Sequence, residues 1–136
     1  MTKPIILIVE DEPAQVALLS YNLKAEGYEV LEADNGDYAQ VLVEENKPDL
    51  ILLDWMLPKT SGIELCRRIK RRKDTKTIPI IMLSARTEEV DRVRCLETGA
   101  DDYMAKPYSM VELMARVKSQ LRRTRAAAVG EKLEYN

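Results

Sequence analysis

The chain is predicted to fold as a doubly wound α/β domain with one parallel β-sheet. Short runs of β-type residues alternate with longer helical patterns along nearly all of the 136 residues, as expected for parallel strands joined by right-handed crossovers. Three of the short runs are continuously apolar, which is typical of strands that are buried on both faces. The length suits one domain with one sizeable core.

The first two strand–helix pairs occupy the N-terminal third. Residues 5–9 (IILIV) predict a buried strand, and residues 13–26 predict a helix with Pro13 in its first turn, where proline is tolerated. Residues 28–33 (YEVLEA) predict the second strand, and residues 37–46 the second helix.

The remaining pairs continue the alternation. Residues 50–54 (LILLD) and 78–83 (IPIIML) predict apolar strands, followed by helices over 61–73 and 88–98. A weaker strand is predicted at 102–105 (DYMA). The last helix is predicted over 109–123, where apolar residues recur with helical spacing. They are Met110, Leu113, Met114, Val117 and Leu121.

The helix boundaries carry recognisable signals. The sequences at 61–64 and 109–112 both fit the S-x-x-E capping box. Gly27 and Gly99 follow helices as C-terminal stops. The pattern ends after Leu121, so we predict one domain over residues 1–123 and a linker or tail over 124–136.

Composition excludes several classes of function. Histidine is absent and the formal net charge is -2, so Ser-His-Asp and Cys-His sites are excluded and nothing in the overall charge favours nucleic acid. The longest apolar runs are far shorter than the roughly 20 residues that span a bilayer, and no signal peptide is recognised. Cys66 and Cys95 stand alone, as reduced thiols of a cytoplasmic protein do.

Acidic residues end two of the predicted strands. Glu10 and Asp11 follow the first strand, and Asp54 ends the third. If these strands are neighbours, the carboxylates converge and repel one another unless a cation is bound. A ligand set made only of oxygen atoms favours Mg²⁺, with Mn²⁺ as a substitute. The alternative is that Asp11 and Glu12 cap the following helix.

The ends of the fourth and fifth strands add two groups that suit an anion. Ser84 supplies a hydroxyl beside the small Ala85, and Lys106 supplies a positive charge. Ligands of open α/β sheets bind at the carboxyl ends of the strands. A cation, a lysine and a hydroxyl suit a phosphoryl group on Asp54, because phosphoryl transfer depends mainly on positioning and charge neutralisation.

Four motifs resemble the bacterial response-regulator receiver domain, with order and spacing kept over about residues 4–123. They are VEDE (9–12), DLILLDWMLP (49–58), LSA (83–85) and GADDYMAKP (99–107). The resemblance implies a five-stranded (βα)5 flavodoxin/CheY-like fold with strand order 2-1-3-4-5.

The resemblance also implies how the site works. Asp54 would accept a phosphoryl group from the phosphohistidine of a sensor histidine kinase, and Ser84 and Lys106 would contact that group. The domain would take part in its own phosphoryl transfer and slow autodephosphorylation without being a turnover enzyme. The Lys106–Pro107 bond would be cis. The implied magnesium ligands are Glu10, Asp11, Asp54 and the backbone carbonyl of Met56.

The implied output is a change in the surface formed by the fourth helix, fifth strand and fifth helix. Ser84 and Tyr103 would be the switch residues, and the surface would mediate a two-fold homodimer when Asp54 is phosphorylated. Its charged residues have a simpler interpretation as a solvated face with local pairs. The implied dimer face comprises Arg92, Glu97, Asp101, Asp102, Glu112, Arg116 and Lys118.

The motifs DWMLP and GADDY are similar to those of the OmpR/PhoB class of transcription regulators, and of phosphate-regulon members in particular. That class binds DNA and RNA polymerase through a C-terminal domain for which this chain has no sequence. We therefore expect either an N-terminal fragment or a stand-alone CheY-like or phosphorelay receiver.

Two other classes are less well supported. A metal-dependent phosphatase of the same fold usually has a second acid two residues after its nucleophile, where this chain has Met56. A nucleotide-binding module usually has a glycine-rich loop after its first strand, where this chain has EDEPAQ.

Overall fold

The computed structural model describes residues 2–86 and 88–134 of the chain. Five parallel strands form one sheet in the order β2-β1-β3-β4-β5, and helices alternate with them. The predicted fold class and strand order are confirmed. The elements are β1 (Ile5–Val9), α1 (Pro13–Ala25), β2 (Glu29–Ala33), α2 (Gly36–Asn46), β3 (Leu50–Asp54), α3 (Gly62–Arg71), β4 (Ile80–Ser84), α4 (Glu89–Glu97), β5 (Asp102–Ala105) and α5 (Met110–Glu134).

The central strands are apolar because both of their faces are covered. Side chains alternate between the faces of a strand, so Leu7 and Val9 pack in one hydrophobic layer and Ile6 and Ile8 in the other. The first layer includes buried residues of α2, α3 and α4, and the second includes those of α1 and α5. The core therefore lies on both sides of the sheet, and the strand ends are left open.

The predicted boundaries agree with the structure to within one or two residues, apart from the last helix. The fourth strand begins at Ile80, after the predicted Ile78, because Pro79 has no N–H to donate to the sheet. Gly27 and Gly99 end α1 and α4 with φ angles of 92° and 108°, conformations that side chains disfavour.

Helix α5 is longer than predicted. We predicted its end near residue 123, whereas it continues to Glu134. The segment RRTRAAAV (122–129) lacks the apolar spacing on which the prediction depended, but arginine and alanine have a high intrinsic helix propensity. The division of the chain into a domain over 1–123 and a linker over 124–136 remains a prediction.

The two cysteines are buried and unpaired, as the sequence predicts. Burial raises the pKa of the Cys95 thiol to about 12, which keeps it protonated and unreactive. No helix in the described part of the chain is long and apolar enough to cross a membrane.

Candidate functional site

Three carboxylates meet at the carboxyl edge of the sheet. Strands β1 and β3 are hydrogen-bonded neighbours with Val9 opposite Leu53, so the acids that end them lie side by side. One carboxylate oxygen from each of Glu10, Asp11 and Asp54 lies within 4.8 Å of the others. Glu10 and Asp54 are buried and Asp11 is exposed. The predicted convergence of these three acids is confirmed.

Local backbone contacts orient the Glu10 carboxylate. Its Oε2 accepts hydrogen bonds from the N–H groups of Asp11 at 3.0 Å and Glu12 at 3.3 Å. Helix α1 begins with Glu12 as N-cap, and the Glu12 side chain makes no capping hydrogen bond. The capping alternative for these acids is therefore not what the structure shows: Glu10 binds the backbone of the loop that follows β1.

The segment after Asp54 folds back on the end of β3. Met56 N–H donates to Asp54 Oδ1 at 3.4 Å, and Gly62 N–H donates to the Trp55 carbonyl at 2.9 Å. A Cβ atom at Gly62 would collide with the backbone carbonyl of Asp54. Ser61 then caps α3 by accepting from Glu64 N–H at 3.3 Å. Glycine at 62 thus permits the close return of the chain beside Asp54.

Lys106 reaches the same carboxylates from the end of β5. Its Nζ lies 3.1 Å from Glu10 Oε1 and 3.4 Å from Asp54 Oδ2. Its backbone N–H donates to the Ser84 carbonyl at 2.7 Å, which holds the end of β5 against β4. The Lys106–Pro107 bond is cis, as expected.

The charges of the site perturb one another. Burial, and then the neighbouring Glu10, raise the pKa of Asp54 to about 6. Burial also opposes ionisation of Glu10, but hydrogen bonds to Asp54 and Lys106 outweigh it, so the pKa of Glu10 lies below its ordinary value. The same contacts with both acids raise the pKa of Lys106 despite its partial burial. The site holds more negative charge than Lys106 alone balances.

The donor set fits a hard divalent cation. Its three carboxylates offer only oxygen atoms, and they lie close enough together to share one ion. A bound cation would also offset the repulsion that raises the pKa of Asp54. The acidic cluster is therefore consistent with a Mg²⁺ site.

Ser84 and Tyr103 both form hydrogen bonds with the backbone of Arg86. Ser84 is fully buried at the end of β4, and its Oγ accepts a hydrogen bond from Arg86 N–H at 3.0 Å. The Tyr103 hydroxyl donates to the Arg86 carbonyl, and its ring packs against the layer beneath α2, α3 and α4. The structure thus joins the two predicted switch residues through the backbone of Arg86.

Four of the seven charged residues predicted as a dimer face form ion pairs within the chain. Arg116 lies 2.7 Å from Asp102 and 2.9 Å from Glu112. Asp101 is 2.8 Å from Lys70 and also accepts from Ile80 N–H at 2.8 Å. Among residues 2–86 and 88–124, no opposite charge lies within 4.0 Å of the other three. They are Arg92, Glu97 and Lys118.

Sequence reasoning missed the roles of Gly62 and Arg86. The sequence SG at 61–62 marks a helix start, but it does not show that glycine is needed for contact with Asp54. Arg86 follows the recognised LSA segment by one residue, and a single exposed arginine gives no sequence signal of its own. Both roles depend on which loops lie beside each other in space.

Three comparisons place the chain among known proteins. The response regulator receiver domain family matches residues 6–118. The chain is 59% identical over 122 residues to the phosphate regulon transcriptional regulatory protein PhoB of Rhizobium meliloti, covering 90% of this chain and 54% of that protein. This chain spans about half the length of the curated relatives it matches.

Solved structures share both fold and sequence. The receiver domain of sensor histidine kinase PA1611 from Pseudomonas aeruginosa PAO1, which has a magnesium ion coordinated in its active site cleft, is 32% identical with a TM-score of 0.81, covering 88% of this chain and 98% of that one. The BeF3-activated N-terminal receiver domain of Klebsiella pneumoniae RstA is 34% identical with a TM-score of 0.80, covering 87% and 98%. Since the family match covers residues 6–118 of 136, this chain belongs to the response regulator receiver domain family.

Proposed function

We propose that this domain is the phospho-accepting switch of a two-component regulator of the OmpR/PhoB class, with Asp54 as the acceptor. The observation that carries the proposal is the buried Asp54 carboxylate, which lies beside two further carboxylates and 3.4 Å from the Lys106 ammonium. The donor is the phosphohistidine of a sensor histidine kinase, the class of partner that a receiver domain serves.

In the proposed phosphoryl transfer, Asp54 is the only residue of the protein that forms a covalent bond. A carboxylate oxygen of Asp54 bonds to phosphorus while the bond from phosphorus to the histidine nitrogen breaks and its electron pair stays on that nitrogen. The products are an acyl phosphate on Asp54 and a neutral imidazole, because the other ring nitrogen of the phosphohistidine is protonated. Lys106 balances the negative charge of the phosphoryl oxygens, and the Ser84 hydroxyl donates a hydrogen bond to one of them. Met56 N–H, which already donates to Asp54, keeps the carboxylate aligned.

The residues of the acidic cluster would hold a magnesium ion, which would neutralise charge on the phosphoryl oxygens. Hydrolysis of the acyl phosphate resets the domain slowly, so the protein is a phospho-acceptor and not a turnover enzyme. Mn²⁺ is the expected substitute. The residues that would hold the ion are Glu10, Asp11, Asp54 and the backbone carbonyl of Met56.

The proposed output is a two-fold homodimer formed by α4, β5 and α5. An isologous interface needs self-complementary charges, and this surface carries both signs. Some of its charged residues already form ion pairs within the chain, Asp101 with Lys70 and Arg116 with Asp102 and Glu112, and such pairs would have to be shared or exchanged across the interface. The proposed face comprises Arg92, Glu97, Asp101, Asp102, Glu112, Arg116 and Lys118.

By similarity to PhoB, the output controls transcription of phosphate-regulated genes in the cytoplasm. Contacts with DNA and RNA polymerase would belong to a further domain of the longer protein, since the relatives are about twice as long as this chain.

Intact mass spectrometry tests the acceptor directly. The wild type is incubated with phosphoramidate with and without Mg²⁺, beside Asp54→Asn. We expect one phosphoryl adduct that requires Mg²⁺, is cleaved by hydroxylamine as an acyl phosphate is, and does not form on Asp54→Asn.

The matched control is Asp101→Asn, which makes the same chemical change at the opposite edge of the sheet. It should still form the adduct. An adduct that survives in Asp54→Asn, or no adduct on the wild type when metal binding is shown independently, would contradict the proposal.

A further inference from the structure

Arg86 lies between β4 and α4 and contacts both switch residues through its backbone. Its N–H donates to Ser84 Oγ, and its carbonyl accepts from the Tyr103 hydroxyl. A rotation of the Ser84 side chain or a withdrawal of Tyr103 therefore changes the hydrogen bonds of this one residue. Both predicted switch residues thus hydrogen-bond to the backbone of the same residue.

The Arg86 side chain makes two further contacts. Its guanidinium carbon lies 5.0 Å from the centroid of the Trp55 ring, within the range of a cation–π interaction. Trp55 directly follows Asp54 and is only 4% exposed. The same guanidinium lies 3.4 Å from Asp91 Oδ1 in the first turn of α4. One side chain thus connects the neighbour of Asp54 with α4.

A simpler interpretation is an ordinary surface ion pair. Exposed pairs contribute little to stability, and the Arg86 side chain is 45% exposed. That interpretation does not account for the position of the guanidinium over the buried Trp55 ring. The planar guanidinium can stack and pair at once, which lysine cannot do.

We propose that Arg86 is a positioning residue that couples the state of Asp54 to helix α4, through Trp55 on one side and Asp91 on the other. The inference rests on the proposed function, since it requires a phosphoryl group at Asp54. When Ser84 turns toward that group, the Arg86 N–H loses its acceptor. The movement of Arg86 then reaches α4 through Asp91.

The test compares Arg86→Gln with Arg68→Gln. Arg68 is a matched control, since its side chain is 44% exposed and lies 3.6 Å from Glu64. Beryllium fluoride with Mg²⁺ serves as the phosphoryl mimic. Its binding is followed by fluorescence of Trp55, the one tryptophan of the chain, and the response of α4 by hydrogen exchange of its amides.

We expect wild type and Arg68→Gln to bind the mimic and to change hydrogen exchange in α4. Arg86→Gln should bind with a midpoint close to that of the wild type, while its α4 response falls about fivefold, the lower end of usual coupling between sites. Asp91→Asn should lose the same response, and the double variant should lose no more, because both act through one contact.

Three outcomes would overturn the inference, and they differ from one another. If Arg86→Gln keeps the full α4 response, Arg86 is only a surface residue. If it loses binding of the mimic as well, Arg86 belongs to the binding site and not to the coupling. If the wild type binds no mimic, the proposed function fails first and the inference fails with it.

Discussion

Each edge of the sheet brings a lysine to carboxylates, with opposite electrostatic results. At the edge where the strands begin, Lys70 Nζ lies 2.8 Å from Asp101 Oδ2 and donates to two backbone carbonyls. Ile80 N–H donates to the same Asp101 oxygen at 2.8 Å. One carboxylate and one ammonium therefore satisfy each other, and the contact ties α3 to the start of β4 and β5.

At the edge where the strands end, Lys106 faces more than one negative charge. It lies near both Glu10 and Asp54, with Asp11 close to them. Burial, and then the neighbouring Glu10, raise the pKa of Asp54 at this edge. The same residue types thus make a stabilising tie at one edge and an unbalanced cluster at the other, and only the second calls for a ligand.

The largest expected effect is at the edge where the strands begin, where Lys70 and Asp101 pair. Asp101→Asn removes the charge that balances Lys70, whose side chain is only 14% exposed. We expect a loss of about 2 kcal/mol in the free energy of unfolding, below the cost of breaking a fully buried pair because the site is partly solvated. Urea denaturation measures it, with an unchanged midpoint as the contrary result.

Asp74→Asn is the control for this loss. Asp74 is an exposed carboxylate whose pKa is lowered to about 2 by Arg72 and Lys47. Since water screens those contacts, its substitution should cost clearly less than that of Asp101.

Asp54→Asn, at the edge where the strands end, should instead increase the free energy of unfolding. Burial, and then Glu10, raise the pKa of Asp54 from 3.8 to about 6 in the folded protein. Between these values the folded chain binds more protons than the unfolded chain, so stability falls as pH rises. Asp54→Asn removes this cost, of at most about 3 kcal/mol. The pKa of Glu10 is lowered, in part by its hydrogen bond to Asp54, so the substitution also removes some stabilisation of ionised Glu10. We therefore expect a net gain of about 1–2 kcal/mol in the free energy of unfolding without metal.

The pH profile distinguishes this cause from a general stabilisation. The stability difference between Asp54→Asn and wild type should grow from about pH 4 to about pH 6, the interval set by the two pKa values, and then stay level. Unfolding curves in EDTA across that interval measure it. A difference that is already complete at pH 4 would show that charge repulsion is not its source.

The smallest effect is that of magnesium itself. A ligand at ten times its dissociation constant stabilises the folded state by about 1.4 kcal/mol. We expect Mg²⁺ to raise the melting temperature of wild type and Asp101→Asn equally, and that of Asp54→Asn less, because one charged ligand is lost. Equal increments in all three proteins would place the ion elsewhere.

Much of this architecture could be predicted from local pattern. The apolar run 50–54 predicted a buried strand that ends in an acid, because hydrophobic periodicity depends only on neighbouring residues. The resemblance of the four motifs to receiver domains then supplied the strand order. The end of α5 was missed because helix propensity and apolar spacing diverge after Leu121.

The sequence by itself determined the alternation of strands and helices and the chemical types at the strand ends. Those properties depend only on residues that are close together in the sequence. Only the tertiary structure decided that Lys70 pairs with Asp101, that Gly62 must lack a side chain, and that the Arg86 guanidinium lies over the Trp55 ring. These contacts join residues far apart in sequence or on different loops, so they exist only once strand order and loop packing bring the atoms together.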